Sequence, residues 1–396
     1  MNIFNSLGSN YNLNFVLKSI FNFSRSDFQL EKFLEEKYKG KSVLLYKGRE
    51  AIELGLKILD LPKDSFVAIN GFTCFAVYEA IKNVGLNVEY LDLEKGELNF
   101  SAEELKKHLL QNPKIKVVIV QNTLGFPSNI ADIIKVCKEN NITLIEDLAH
   151  CVGTKYANKA EAGTIGDMVV LSFSQDKMID GISGGALIVK NPNLSINVQL
   201  ANLGFQIQLK DRLYPFLTYL IRSTYNLFDL GKLLHTVFKK TNLLPKPVES
   251  ITPHVLHKLP IFYYKLIQSV FEELGENLNH RKTIASIYSQ TINPKVMSAT
   301  LKDQIINSSN LRFPIFVNKR EHLIENLKAQ GIYISDIWYD APIAPRKYLQ
   351  LTDYKNQCPN SQDASAVILN LPTHKMVSTK DAINISQLIN QWLKSQ

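Results

Sequence analysis

The chain has 396 residues, a formal net charge of +8, 45% hydrophobic residues and 21% charged residues. That length supports a large core and two domains, and that balance excludes a wholly disordered chain. The positive charge favours anionic partners such as phosphorylated substrates or an acidic membrane surface, whereas the absence of a Lys/Arg block or a basic–aromatic ladder speaks against nucleic acid.

The four cysteines, Cys74, Cys137, Cys151 and Cys358, lie far apart with no metal-type CxxC pair. They read as reduced thiols of a cytoplasmic protein, and no metal site is expected. The opening Met1-Asn2-Ile3-Phe4-Asn5-Ser6 lacks the basic start and apolar stretch of a signal peptide. No apolar run approaches the roughly 18 residues of a membrane span. The nearest, Leu213 to Phe228, is interrupted by Arg222.

Residues 1–40 read as an irregular, partly helical arm. Val43–Tyr46 precedes a helix from Glu50 to Leu59, and strands and helices then alternate. Strands are expected at Phe66–Ile69, Val88–Leu91, Val117–Gln121, Ile142–Glu146, Val169–Phe173 and Ala186–Val189. Helices are expected at Phe75–Val84, 102–110 (after a capping-box Ser101-Ala102-Glu103-Glu104) and Ile130–Glu139. Continuous apolar strands separated by helices imply a largely parallel sheet covered on both faces. Ligands of such sheets sit at the carboxyl ends of the strands, where Asn70, Gln121, Asp147 and Ser172 fall.

Residues 205–260 differ. Leu213, Phe216, Leu217, Leu220, Ile221, Thr224, Phe228, Gly231 and Leu234 follow helical spacing, with Arg212, Arg222, Lys232, Lys239 and Lys240 mostly outside that stripe. A helix packed on the core or on a second subunit fits this pattern. So does an amphipathic surface that touches an anionic membrane through 205–245. Pro245 and Pro247 mark a break. From 261 to 396 the pattern is that of a small α+β domain, with helices at Leu266–Tyr288, Glu321–Gln330 and Asp381–Leu393 and strands at Leu311–Val317 and Ile368–Pro372. The segment between the arm and the insertion, 41–204, forms the large domain.

The chemistry gathers around Lys177. It lies on a loop between two buried strands, and Asp147 ends a third. A pyridoxal phosphate enzyme needs such a pair: the amine forms a Schiff base with the aldehyde, and the acid pairs with the pyridinium nitrogen. Surface lysines are common, so the weight rests on the constellation. Gly48-Arg49-Glu50 opens a helix whose free amides could take a phosphate, and Ser172 could bind the same group. His150 could contact the ring or its 3′ oxygen. Gly184-Gly185 lets the chain turn tightly into the next strand.

Several motifs carry a resemblance in order and spacing. They are Gly48-x-x-Ala51, Thr73-x-x-Ala76, Gly125-x-Pro127, Glu146-Asp147-x-Ala149-His150, Gly163-x-x-Gly166-Asp167, Ser172-Phe173 with Lys177, Gly184-Gly185, Cys358-Pro359 and Leu369-x-Leu371-Pro372-Thr373-His374. Over roughly 40–200 and 260–396 the chain resembles the DegT-type sugar aminotransferases, which share the aspartate-aminotransferase fold (fold type I). The resemblance implies an α/β fold with a mostly parallel seven-stranded sheet, a small C-terminal domain, and a homodimer with the active site at the subunit interface. It implies pyridoxal 5′-phosphate as cofactor, Lys177 as Schiff-base lysine and general base, and Asp147 as pyridinium partner. His150 stands beside the ring, and Ser172 with the Arg49 and Glu50 amides holds the phosphate. An aromatic that stacks on the ring in relatives is Cys74 here, with Phe75 or Phe72 as substitutes. The glutamate before the Gly-Gly pair is Ser183, and 205–258 is long.

The implied reaction moves an amino group from an amino acid, glutamate by expectation, to a keto-sugar, nucleotide-linked by expectation. Relatives that dehydrate keto-sugars replace the lysine with histidine, so Lys177 favours transamination. A sugar-binding homologue without turnover would not need Asp147, Ser172 and Lys177 together. A nicotinamide dehydrogenase would need a GxGxxG after its first strand, which is missing.

Overall fold

The computed structural model describes residues 2–21, 29–245, 255–334 and 338–396. Its centre is a seven-stranded sheet of β1 (Lys41–Leu45), β2 (Phe66–Asn70), β3 (Asn87–Leu91), β4 (Ile115–Val120), β5 (Thr143–Asp147), β6 (Met168–Ser172) and β7 (Gly185–Val189). The spatial order is β1-β7-β6-β5-β4-β2-β3. β7 runs antiparallel to both of its neighbours, and every other pairing is parallel.

The apolar runs of β4 to β7 follow from burial on both faces. Alternate residues serve opposite layers: Val169 and Leu171 face one core cluster with the helices Ala102–Gln111 and Ile130–Glu139. Met168 and Val170 face another with the helices Gly48–Lys57 and Phe75–Asn83. Ser101 caps its helix by accepting the Glu104 amide at 3.3 Å.

A further buried cluster gathers where β8 (Arg312–Phe316) pairs antiparallel with β9 (Ile368–Pro372) under the helices Leu274–Thr291, Arg320–Ala329 and Thr379–Lys394, and it takes in Phe72, Leu124 and Phe126 from the first half of the chain. The last of these starts with a capping box, Ser378 with Asp381. The N-terminal arm is more ordered than its sequence suggests. Ile3–Phe4 pairs in parallel with Ile332–Tyr333. Such a contact spans the whole chain, so no local pattern announces it. The helix expected over Leu266–Tyr288 is two helices, Phe262–Glu272 and Leu274–Thr291, with the turn at Glu273.

Phe205–Ser223 and Leu230–Lys240 form a helix pair. The stripe expected there does not share one face: Leu217, Ile221 and Gly231 are buried, while Phe216 and Phe228 are exposed. The chain turns between the two helices, and bare Gly231 lets the second pack against the Ile221 carbonyl and Tyr225. Pro247 lies outside the described residues.

Candidate active site

β5 ends in adjacent acids with opposite duties, because neighbouring strand residues point to opposite faces. Glu146 is fully buried and accepts the amides of Gly163 (2.7 Å), Ile165 (2.8 Å) and Gly166 (2.6 Å) and the Tyr156 hydroxyl (2.7 Å). Its role is to tie down the Gly163-x-x-Gly166 loop. Asp147 instead faces a cavity of about 220 Å³ at the carboxyl ends of the parallel strands. Its Oδ1 accepts the Ala149 amide at 2.9 Å, and among the described residues Oδ2 takes no hydrogen bond. Burial raises its pKa, opposed by the Ala149 amide and Lys177.

Lys177 enters the same cavity from the loop after β6. The preceding Asp176 adopts φ = 63°, a left-handed turn that Asp tolerates better than most residues. Lys177 Nζ lies 3.1 Å from His150 Nε2 and 4.5 Å from the Trp338 ring centroid. Burial lowers its pKa, only partly offset by Cys74, Asp147 and Asp176. His150 Nδ1 accepts the Leu124 amide at 3.2 Å. A neutral ring with Nδ1 as acceptor carries its hydrogen on Nε2, which faces Nζ. Burial favours the uncharged form of Lys177, the form that can accept such a hydrogen bond. Burial, with the charges of Lys177 and Arg312, likewise pushes His150 well below its ordinary pKa.

The other wall is the start of the helix Gly48–Lys57, brought against the end of β6. A Cβ on Gly48 would sit 2.7 Å from Ser172 Cβ and 3.0 Å from its Oγ. Only glycine lets the free helix amides and the Ser172 hydroxyl meet at one point, which is an anion cradle. Gly185 is bare for the same reason: its Cβ would fall 2.5 Å from the Lys47 carbonyl carbon. These features fit a pyridoxal phosphate ring: a lysine amine whose burial favours the uncharged form, a carboxylate oxygen that takes no hydrogen bond among the described residues, and a phosphate-sized cradle.

Of the residues singled out in the sequence, Gly48, Arg49, Cys74, Asp147, His150, Ser172 and Lys177 line this one cavity. Phe75 does not; it stacks on Tyr348 at 4.8 Å. Phe72 is buried against Tyr339. The Glu50 side chain turns away to His257, accepting its amide at 3.1 Å. Asn70 binds the carbonyls of Phe72 and Leu98 instead.

Sequence reasoning missed Lys47, Trp338 and Tyr339. Trp338 stacks on His150 with centroids 5.1 Å apart and planes 17° apart. Its only sequence signal is rarity, as one of two tryptophans. Lys47 donates to Ser183 at 3.1 Å, which gives the small Ser183 a function. Burial lowers the Lys47 pKa, opposed by Asp211. Its signal was adjacency to Gly48.

A family model described as the DegT/DnrJ/EryC1/StrS aminotransferase family matches residues 25–220 and 265–390. The UDP-4-amino-4,6-dideoxy-N-acetyl-beta-L-altrosamine transaminase of Campylobacter jejuni is 25% identical over 346 residues, 86% of this chain and 82% of that protein. The dTDP-4-dehydro-2,3,6-trideoxy-D-glucose 4-aminotransferase of Saccharopolyspora spinosa is 24% identical over 337 residues, 84% of this chain and 79% of that protein. Among solved structures, the PLP form of Spr1654 from Streptococcus pneumoniae has a TM-score of 0.72 at 17% identity, covering 100% of this chain and 99% of that one.

Proposed function

This chain belongs to the DegT/DnrJ/EryC1/StrS aminotransferase family, and from that premise we propose that it moves an amino group from an amino acid to a keto-sugar with pyridoxal phosphate as cofactor. The acceptor is a nucleotide-linked keto-sugar, used in building surface glycans or secondary-metabolite sugars, and glutamate is the donor. The carrying observation is the Lys177 amine, 3.1 Å from His150, in one cavity with Asp147 and the Gly48–Ser172 cradle.

When bound, the cofactor's protonated ring takes up the electron pair left as a Cα–H bond of the amino donor breaks. The residues supply the rest. Lys177 would hold the cofactor, and its freed Nζ would carry the proton from the donor Cα to the cofactor's aldehyde carbon in the first half of the reaction and move a proton the opposite way, to the acceptor carbon, in the second. Such proton shuttling contributes about 10²–10⁴-fold. Asp147 would accept a hydrogen bond from the ring nitrogen and hold the proton on that nitrogen. His150 fixes Nζ by its Nε2–H. Ser172 and the Arg49 and Glu50 amides hold the phosphate.

We read the working unit as a cytoplasmic homodimer with the site at the shared interface, and 205–245 as a place of peripheral membrane contact. Among the described residues no helix is long and apolar enough to cross a membrane.

The test joins a spectrum to turnover. Added pyridoxal phosphate gives an imine absorption, borohydride fixes it, and peptide mapping finds the label on Lys177. A panel of nucleotide keto-sugars with glutamate then identifies the acceptor by 2-oxoglutarate release. A label on another lysine, or none, defeats the reading.

A further inference from the structure

Three packed helices leave apolar stripes facing outward. On Leu13–Phe21 the exposed positions are Leu13, Leu17 and Phe21, each four residues apart. On Phe205–Ser223 they are Phe205, Leu209 and Phe216, and on Leu230–Lys240 they are Leu230, Leu233 and Val237. Each set falls on one side of its helix by spacing. Monomeric surfaces rarely collect so many large apolar side chains on adjoining elements.

The turn between the last two helices is more telling. Phe228 is 97% exposed and Leu227 54%. Phe228 and Asp229 both take left-handed backbone conformations, at φ = 46° and 56°, and hold the ring out at the tip. A bulky side chain seldom adopts that conformation without a reason.

Charge identifies the occupant. These helices present exposed Lys18, Lys232, Lys239 and Lys240, while the acids beside them are the buried Asp211 and the exposed Asp229, which pairs with Lys232 at 2.7 Å. A two-fold contact between copies would set this basic patch against itself, lysine against lysine. An anionic lipid surface offers the opposite sign and a place for the apolar stripes.

We propose that these helices form a membrane-docking face for anionic lipid, with Leu227 and Phe228 as the inserting wedge. The inference rests on the peripheral-contact reading above and deepens it; the catalytic reading stands apart. The face positions the enzyme beside acceptors or partner enzymes held at that surface.

Flotation of the holoenzyme with phosphatidylcholine vesicles, with and without phosphatidylglycerol, tests it at low salt. The parent enzyme is expected to float only with phosphatidylglycerol and to be released by added salt. Phe228→Ser, at a site without packing to lose, is expected to cut the bound fraction about tenfold. Lys239→Ala with Lys240→Ala is expected to cut it about fivefold per lysine. Both variants should keep the parent's oligomeric state and its turnover of a soluble acceptor. If the parent fails to float, peripheral contact itself is wrong. If the parent floats and Phe228→Ser floats equally, the wedge alone is wrong. If Phe228→Ser changes the oligomeric state, a second copy covers this face and the lipid assignment falls.

Discussion

Burial and hydrogen bonding bias the protonation of the residues proposed to act in catalysis. The hydrogen bond from Leu124 to His150 Nδ1 turns the Nε2 hydrogen of a neutral ring toward Lys177 Nζ and so favours the uncharged amine. Burial acts in the same direction. Asp147 is the complement: its burial cost is met by one backbone amide and by the lysine until a ring nitrogen arrives. Asp147→Asn should still bind cofactor but lose about 10²-fold or more in kcat/KM, measured by 2-oxoglutarate release, because the amide cannot stabilise the ring's positive charge. Lys47, half-buried beside the cradle, would supply a cation where a phosphate would sit. Lys47→Met should weaken pyridoxal phosphate binding about tenfold in a spectroscopic titration; unchanged affinity would leave Lys47 a partner of Ser183 alone.

Elements bring these residues together through close approach and buried polar ties. The helix Gly48–Lys57 meets β6 across a gap that fits no Cβ. Gly48→Ala should cost about 1–3 kcal/mol of stability and weaken cofactor binding. Gly204→Ala, where an added Cβ meets nothing within 4 Å, should change neither. The loop that carries Lys177 is tied to the N-terminal arm by Asp180, which accepts the Tyr11 hydroxyl at 2.6 Å, Asn10 Nδ2 at 3.0 Å and the Asp176 amide at 2.9 Å. Burial, with the charge of Asp176, pushes the Asp180 carboxyl up to about 6. The folded state therefore holds that proton more tightly than an unfolded chain, whose Asp titrates near about 3.9. Stability from this group is full below about pH 4 and is lost as pH rises through about 6. In a melting series over that window, Asp180→Asn should remove this part of the pH dependence; a variant whose slope matches the parent's would refute the assignment.

At the scale of the molecule, the carboxyl ends of the central strands and Trp338, Tyr339, Ala344 and Pro345 from late in the chain close on one cavity, and the first residues of the chain pair with Ile332–Tyr333. The homodimer reading predicts a two-chain mass in sedimentation at micromolar concentration, with cofactor affinity falling on dilution to monomer. The central sheet was legible in the residues. Runs such as Met168–Ser172 and Gly185–Val189 are apolar throughout because both faces are covered, and the chemistry follows at their ends. Lys177, Asp147, Ser172 and Gly48 were legible for a related reason: a turn or strand end limits which residue types fit. Phe75 misled because its neighbour Cys74 faces the cavity while its own ring stacks on Tyr348, a partner 273 positions later in the chain. Trp338, the pairing of Ile3–Phe4 and the outward stripes stayed hidden. Local spacing tells which side chains share a face, but only the packed chain decides whether that face meets core, cofactor or solvent.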